Sequence, residues 1–251
     1  MNKIIVSMDE VNYNGDLGVL IDDKTITFNE SGSYFIEYDD IDEVELVFNI
    51  KNADVIIYED IFDTRLKVNN VYNVYGGKLK INKFYCNLQV LEKISINLFL
   101  ENDLVDYNFA SISSNCENYQ IDVFHRGKKT VSNIKNRAVA LDGSKIHFTI
   151  NSTVYKEGCK AVLDQNTRIV TFGDCETEVK PNMYIDLEDV LAKHGSVIGT
   201  FKDEQIFYLM SKGISYNETL KLLVKGFLLS DRVISVDTRK RITDIIDMYW
   251  R

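Results

Sequence analysis

The sequence predicts a mainly β protein with a short helical region at its C-terminal end. Three observations carry this. Apolar residues alternate with polar or small ones at Val44, Leu46, Phe48 and Ile50, and again at Ile94, Ile96, Leu98 and Leu100. A period of two lays one face of a strand on a core. Strand-like runs recur too closely to leave room for the helices of βαβ crossovers. After Gly199 the apolar spacing lengthens to that of a helix.

The bulk numbers bound the rest. The 251 residues are 45% hydrophobic and 11% aromatic, enough to bury a core and too much for a disordered chain. That length holds one large domain, or a domain with a helical appendage. A formal net charge of -9 leaves no basic footprint, so neither nucleic acid nor an anionic membrane is expected as a partner. The first residues show no continuous apolar signal region. No window approaches the ~18 apolar residues of a membrane span, and a cytoplasmic location is expected. Cys86, Cys116, Cys159 and Cys175 are scattered without a CxxC pair. Reduced thiols are expected, rather than a disulfide framework or a zinc ribbon.

In chain order, strands are expected at 4–6, 26–28, 34–38, 44–50, 55–58, 71–75, 79–81 and 94–100. Gly76-Gly77 reads as a hairpin or tight turn, and Asn14-Gly15 and Asp142-Gly143 punctuate in the same way. From about 119 the apolar steps become brief: 121–124, 138–141, 146–150, 161–163, 169–172, 183–185 and 197–198. Turns rich in Asn, Asp, Gly, Ser and Thr separate them. Steps of this size suit the coils of a parallel β-helix, each burying its face on its neighbours. No fixed period repeats, so on the residues alone a sandwich or barrel stays open.

The helical region divides into three. Residues 203–212 place Ile206, Leu209 and Met210 on one face, with Gly213 as a C-terminal stop. Ser215-Tyr-Asn-Glu218 is a capping box opening a second helix with Leu220, Leu223, Val224 and Phe227 on its apolar stripe. Asp237 or Thr238 caps a third, with Ile242, Ile245, Ile246 and Tyr249. The expected division is a β body over 1–200 and a helical region over 201–251. Residues 186–193, followed by Gly195, also read locally as a capped helix of two turns, a length marginal without strong packing.

No GxxxxGK[ST] loop and no GxGxxG between strand and helix is present, so no nucleotide is expected on this chain. The carboxylates Asp39, Asp40, Asp42 and Glu43 read as a solvated acidic edge. No Ser-His-Asp order stands out. His147 and Thr149 share the face opposite Phe148 and are expected to meet solvent.

An ordered series of motifs then points to a family. His125 is followed by Thr130-x-Ser132, Asn136-Arg137-Ala138, Asp142-x-Ser144 and Phe148. Gln165-x-Thr167, Gly173-Asp174 and Pro181-Asn182-Met183-Tyr184-Ile185 come next. His194-Gly195-x-x-x-Gly199, then Asp203-Glu204-Gln205-x-Phe207-Tyr208-Leu209-x-Ser211-Lys212-Gly213-Ile214, and finally Gly226-Phe227 close it. Over about 125–229 the chain resembles the SufB/SufD family, scaffold subunits of the SUF iron–sulfur cluster assembly machinery. The resemblance implies a right-handed parallel β-helix core with helices at its C-terminal end. It also implies a homodimer, or a heterodimer with a SufB-like chain, and an ABC-type ATPase, SufC, docked on the C-terminal helices. It places 186–193 in the last β-coil, with His194 at a strand end. The family usually has an N-terminal helical region; this chain begins directly in strands and reads as a short member.

The same resemblance assigns roles. SufB-like members carry a cysteine near the position of Thr167 and a glutamate after the histidine, where this chain has Gly195. Many SufD-like members have a cysteine two residues before the histidine, where Ala192 stands. The implied protein is therefore a non-catalytic, SufD-like or homodimeric scaffold that handles an iron–sulfur cluster transiently. His194 is the candidate metal ligand, since neutral imidazole binds iron and titrates near neutrality. Cys175 and Cys159 are lesser candidates as soft ligands. Tyr208, Tyr216 and Lys221 are candidates for the ATPase contact. His125 and Arg137 read as structural. Two other readings stand beside this one: a degenerate member that kept only its dimer and docking surfaces, and a β-helix enzyme acting on polysaccharide. The missing signal region argues against the second.

Overall fold

The computed structural model describes residues 2–8, 10–16, 18–62, 64–86, 89–229 and 236–250, with the side chains of 236 and 237 outside the description. The chain opens with β1 (Asn2–Val6), β2 (Val11–Asn14), β3 (Val19–Asp22), β4 (Thr25–Phe28) and β5 (Gly32–Tyr38). Two long strands follow, β6 (Glu43–Phe62) and β7 (Arg65–Cys86). Then come β8 (Gln89–Leu98), β9 (Leu104–Ser113), β10 (Cys116–His125), β11 (Val131–Ala140), β12 (Lys145–Val154), β13 (Val162–Thr171), β14 (Glu176–Ile185) and β15 (Leu191–Gly199). The helices are α1 (Asp203–Met210), α2 (Tyr216–Leu229) and α3 (Val236–Tyr249).

Apart from the antiparallel pairs β1–β2 and β3–β4, the strands pair in parallel with the next coil. Strands β8, β10, β12 and β14 stack in one sheet, and β9, β11, β13 and β15 in a second. The first half of β7 pairs with β8 and its second half with β9, so this strand runs through both sheets. The result is a parallel β-solenoid of about six turns, as the brief apolar steps and the family resemblance led us to expect. Inward side chains fill the space between the sheets. Phe48 and Tyr72 stack with ring centroids 4.7 Å apart, and Tyr119 lies 4.6 Å from Phe109 and 4.8 Å from Phe148.

The coil length drifts along the chain. Glu43 pairs with Lys67, 24 residues on. Leu104 pairs with Val131, 27 residues on, and Lys145 with Glu176, 31 residues on. Strands β8 to β14 keep ten residues each, so the turns absorb the difference. This drift is why no fixed period is visible in the sequence.

Three expectations need correction. The runs 161–163 and 169–172 are the two ends of the single strand β13. Between them Gln165 and Thr167 point inward and are buried. Gln165 Nε2 donates to Ser152 Oγ at 2.8 Å, and Asn136 Nδ2 to Thr167 Oγ1 at 3.0 Å. A buried polar row, bonded within the coil at Gln165 and to the preceding coil at Thr167, continues the strand where the apolar pattern breaks; among the described residues Gln165 Oε1 and Asn136 Oδ1 have no partner. Gly76-Gly77 is not a hairpin but a corner, where β7 passes from one sheet to the other. Both residues have positive φ, 81° and 152°, and both N–H groups donate to Asp103 Oδ1, at 2.8 and 3.2 Å. A Cβ on Gly77 would stand 2.1 Å from the carbonyl oxygen of Ala53, so only glycine fits. Finally, His194 is the fourth of nine residues in β15 and not at a strand end. Residues 186–193 form no helix.

The helices lie on the outer face of the second sheet, not across the end of the solenoid. Outward residues Phe84, Ala110, Ile112, Val139 and Val170 form one cluster with Val224, Phe227, Leu228, Ile242 and Ile246. The small alanine and β-branched side chains leave a shallow bed for the α2 stripe. Gly213, at φ 86°, donates its N–H to Met210 O at 3.0 Å and stops α1. The α1 face is shallower than expected: Ile206 is partly buried, whereas Met210 stays exposed. Glu218 N donates to Ser215 Oγ at 3.4 Å, half of the expected capping box. Thr238 lies inside α3 and donates to Asp60 Oδ2 at 2.6 Å, tying the helix to β6; the side chain of Asp237 lies outside the described residues. Phe227→Ala is expected to lower the unfolding free energy by ~3–5 kcal/mol. Urea denaturation followed by circular dichroism measures it; a loss under 1 kcal/mol would mean that the helices are held elsewhere.

Candidate functional site

The last coil is the least covered part of the solenoid. β14 pairs with β12 and β15 with β13, and among the described residues the outer edges of both strands are unpaired. β15 is exposed along most of its length, with Leu191 68% and Val197 57% accessible. The parallel register sets its rows. Leu163, Gln165, Thr167 and Ile169 face inward on β13, and Ala192, His194, Ser196 and Ile198 stand opposite them. His194 thus belongs to the inner row, beside Gln165 and diagonal to Thr167. It is exposed because no further coil lies over it, and among the described residues its ring has no hydrogen-bond partner.

The cysteines do not join it. Cys175 follows the corner after β13, and its Sγ donates to the carbonyls of Leu141 and Phe172, each at 3.3 Å. Thr171 ends β13 six residues beyond Gln165, ~20 Å along an extended strand. Cys159 lies in the turn before β13, at the other end, where its carbonyl accepts the Lys129 N–H at 2.9 Å. Among the described residues, no group of three or more His, Cys, Asp or Glu side chains is placed to hold a metal ion. His194, Cys159 and Cys175 therefore do not make one site within this chain.

The other motif residues have structural duties. His125 is buried, with Nδ1 2.8 Å from Thr130 Oγ1 and Nε2 2.9 Å from Ser132 Oγ. Thr130 donates its own proton to Gly127 O at 3.2 Å, so Nδ1 is the ring donor and Nε2 accepts from Ser132. Burial pulls the imidazole pKa down to about 4 and keeps the ring neutral. The Thr130-x-Ser132 pair is there to satisfy this histidine. Arg137 Nη1 donates to Phe227 O at 3.0 Å and ties β11 to the end of α2. His147 faces outward, with Nε2 3.4 Å from Glu176 Oε1. On the helices Tyr208 and Tyr216 are well exposed, as is Phe207 beside them, a motif residue not among the expected ATPase contacts. Lys221 is committed to Glu218, Nζ to Oε1 2.6 Å.

A second constellation, inside the solenoid, escaped the sequence reading. Lys83 Nζ donates to Glu59 Oε1 at 2.9 Å and Glu92 Oε1 at 2.6 Å, and all three side chains are buried. The Tyr85 hydroxyl lies within reach of both carboxylates, and Tyr38 donates to Glu59 Oε2 at 2.9 Å. Burial opposes charge on Lys83, but Glu59 and Glu92 outweigh it and hold the ammonium pKa well above its usual range. Burial pushes the Glu92 carboxyl up, against the pull of Lys83. Further along the same inner face, burial raises Glu117 to about 7, although Ser111 Oγ donates to its Oε2 at 2.8 Å. Charged residues at inward positions of the alternation were the available signal: Glu59, Lys83, Glu92 and Glu117 all fall on apolar parity.

Fold and site define a parallel β-solenoid with an open last coil and a helical flank on one sheet. Residues 104–227, just under half of the chain, match the family model described as "SUF system FeS cluster assembly, SufBD core domain", and this match supports membership of the SufB/SufD family. The match runs from the first residue of β9 into α2, starting about one coil earlier than the motif series. The iron-sulfur cluster assembly protein SufD of Bacillus subtilis is 29% identical over 113 residues, 45% of this chain and 26% of that protein. An iron-sulfur cluster assembly SufBD family protein of Mycobacterium leprae is 32% identical over 85 residues, 33% of this chain and 22% of that protein. SufD of Escherichia coli is 38% identical over 52 residues, 21% of this chain and 12% of that protein. The chain thus spans about a quarter, or less, of the length of these curated relatives. No helix among the described residues is long and apolar enough to cross a membrane.

Proposed function

We propose that this chain is a non-catalytic scaffold subunit of a SUF-type iron–sulfur cluster assembly complex, SufD-like in its motif residues. The observation that carries the reading is the position of the family match, which takes in β15, with His194 on its inner row, and nearly all of α2. The cluster is cargo here, not a resident cofactor. One imidazole cannot hold it, since iron–sulfur clusters take about four protein ligands. The remaining ligands must then come from a second chain. The uncovered edges of β14 and β15, with Leu191, Val197 and Tyr184 exposed, suit the coil-to-coil dimer that would bring such a chain to His194. The exposed Phe207, Tyr208 and Tyr216 suit a SufC-like ABC ATPase on the helical flank, which would supply the hydrolysis this chain has no loop for. Motion in that partner would open or close the interface around His194.

Anaerobic co-purification with the host's SufC-like ATPase, with mass and iron read on one sample, tests this. Two copies of this chain and two ATPases with iron bound would make it a self-sufficient scaffold. The same complex without iron would make it a helper that requires a SufB-like chain. No complex would remove the ATPase from the reading. His194→Ala is expected to cut cluster maturation by at least about tenfold with an unchanged unfolding midpoint, because among the described residues its ring has no hydrogen-bond partner; full maturation would take His194 out of the site.

A further inference from the structure

On the outer face of the second sheet, between β13, β15 and the helices α1 and α2, lies an open cavity of about 550 Å³. Small-molecule sites have this size. Its polar lining is one-sided. Arg137, Arg168, Asn166 and Gln205 border it, and among the described residues no carboxylate lines it. Arg137 and Arg168 are direct register partners on β11 and β13, and like charges opposite one another on a sheet repel. Such a pair is unexpected in a chain of formal net charge -9 unless something compensates it. The Phe227 ring does so in part, with the two guanidinium carbons 5.8 and 5.3 Å from its centroid. Arg137 is further engaged by Phe227 O. Arg168 has only the ring: among the described residues nothing accepts a hydrogen bond from its five donors.

The space beside it is left free. A Cβ on Gly226 would meet nothing within 4 Å, and one on Gly195 only Asn166 Nδ2 at 3.9 Å. The apolar lining consists of Val197, the register partner of Arg168 on β15, with Phe201, Leu222 and Leu223. We propose that this cavity binds a small molecule carrying an oxyanion, a phosphate or carboxylate, on an apolar body. The oxyanion would take the Arg168 fork with the Asn166 and Gln205 amides, and the body would lie on the Leu222–Leu223 side. A guanidinium fork matches the two oxygens of either group. This site is distinct from His194, which sits on the inner row of β15, and it does not rest on the function proposed above.

Isothermal titration of the full chain at low ionic strength, with inorganic phosphate, phenyl phosphate and benzoate, tests it. Saturable one-to-one binding is expected, tighter for phenyl phosphate than for inorganic phosphate, and weaker in high salt. Phenyl phosphate against benzoate tells which headgroup is preferred. Arg168→Gln should weaken binding at least about tenfold, the loss of one charge-assisted hydrogen-bonded contact. Gly195→Asp, which brings a competing carboxylate into open space, should abolish it, and answers the question even if Arg168→Gln is poorly folded. No binding of any of the three probes up to about 10 mM, well beyond the weakest useful affinity, would overturn the proposal. So would unchanged binding in both variants.

Discussion

Lys83→Met is expected to destabilise the protein by about 3–5 kcal/mol, the loss typical when one member of a buried ion pair is removed. Lys83 is enclosed, with Glu59 and Glu92 on its ammonium and the Tyr85 hydroxyl 3.2 Å away. Without it two carboxylates face each other in a dry interior, and one must take a proton or the coil must open. The loss should therefore be larger at pH 8 than at pH 5, where protonation relieves the repulsion. Urea unfolding at the two pH values measures both. The triple replacement Glu59→Met, Lys83→Met, Glu92→Met should recover most of the loss, because buried ion pairs exchange for apolar side chains at little net cost. A single variant as stable as the parent would mean that water reaches the interior there.

Glu117→Gln is expected to stabilise the protein at pH 8 and to be neutral at pH 4. Burial raises this carboxyl from 4.5 to about 7 in the folded chain. A group whose pKa is higher folded than unfolded favours folding when protonated. Its contribution is complete below pH 4.5 and is lost as the pH climbs through 7. Across that window the parent loses on the order of 3 kcal/mol from this group. Glutamine imitates the protonated carboxyl and still accepts from Ser111, so the variant avoids the loss. His125 runs the other way: its pKa is lowered from 6.5 to about 4, so its contribution is present above 6.5 and lost as the pH falls through 4. That background is common to both proteins and cancels in the difference. A variant less stable than the parent at pH 8 would show that the ionised carboxylate is the form the fold uses.

How far the architecture was legible depended on which signal each element carried. The helices were read nearly to the residue, because Gly213, Ser215 and the Leu220-to-Phe227 stripe are local and act within one or two turns. Strand interiors such as Val44 to Ile50 were read from their alternation. Strands whose inner row includes Gln165 and Thr167, or Asn136, were cut short, since a polar residue in an inner row looks like a turn until its partner on the next coil is known. Gly76-Gly77 reads locally as a hairpin or a tight turn for a similar reason. Two glycines announce positive φ, but only Asp103, one coil later, decides that the chain bends and goes on.

By itself the sequence determined the class of fold, the border between strands and helices near Gly199, and the family resemblance, because these rest on local periodicity and an ordered series of motifs. Only the tertiary structure decided which residues meet. It laid the helices along a sheet face and set Glu59, Lys83 and Glu92 together from successive coils. It kept His194 apart from Cys159 and Cys175, and it left Arg168 facing an open cavity. The physical reason is the drifting coil: residues 24 to 31 apart become neighbours, by amounts that turn lengths set and that no local pattern records.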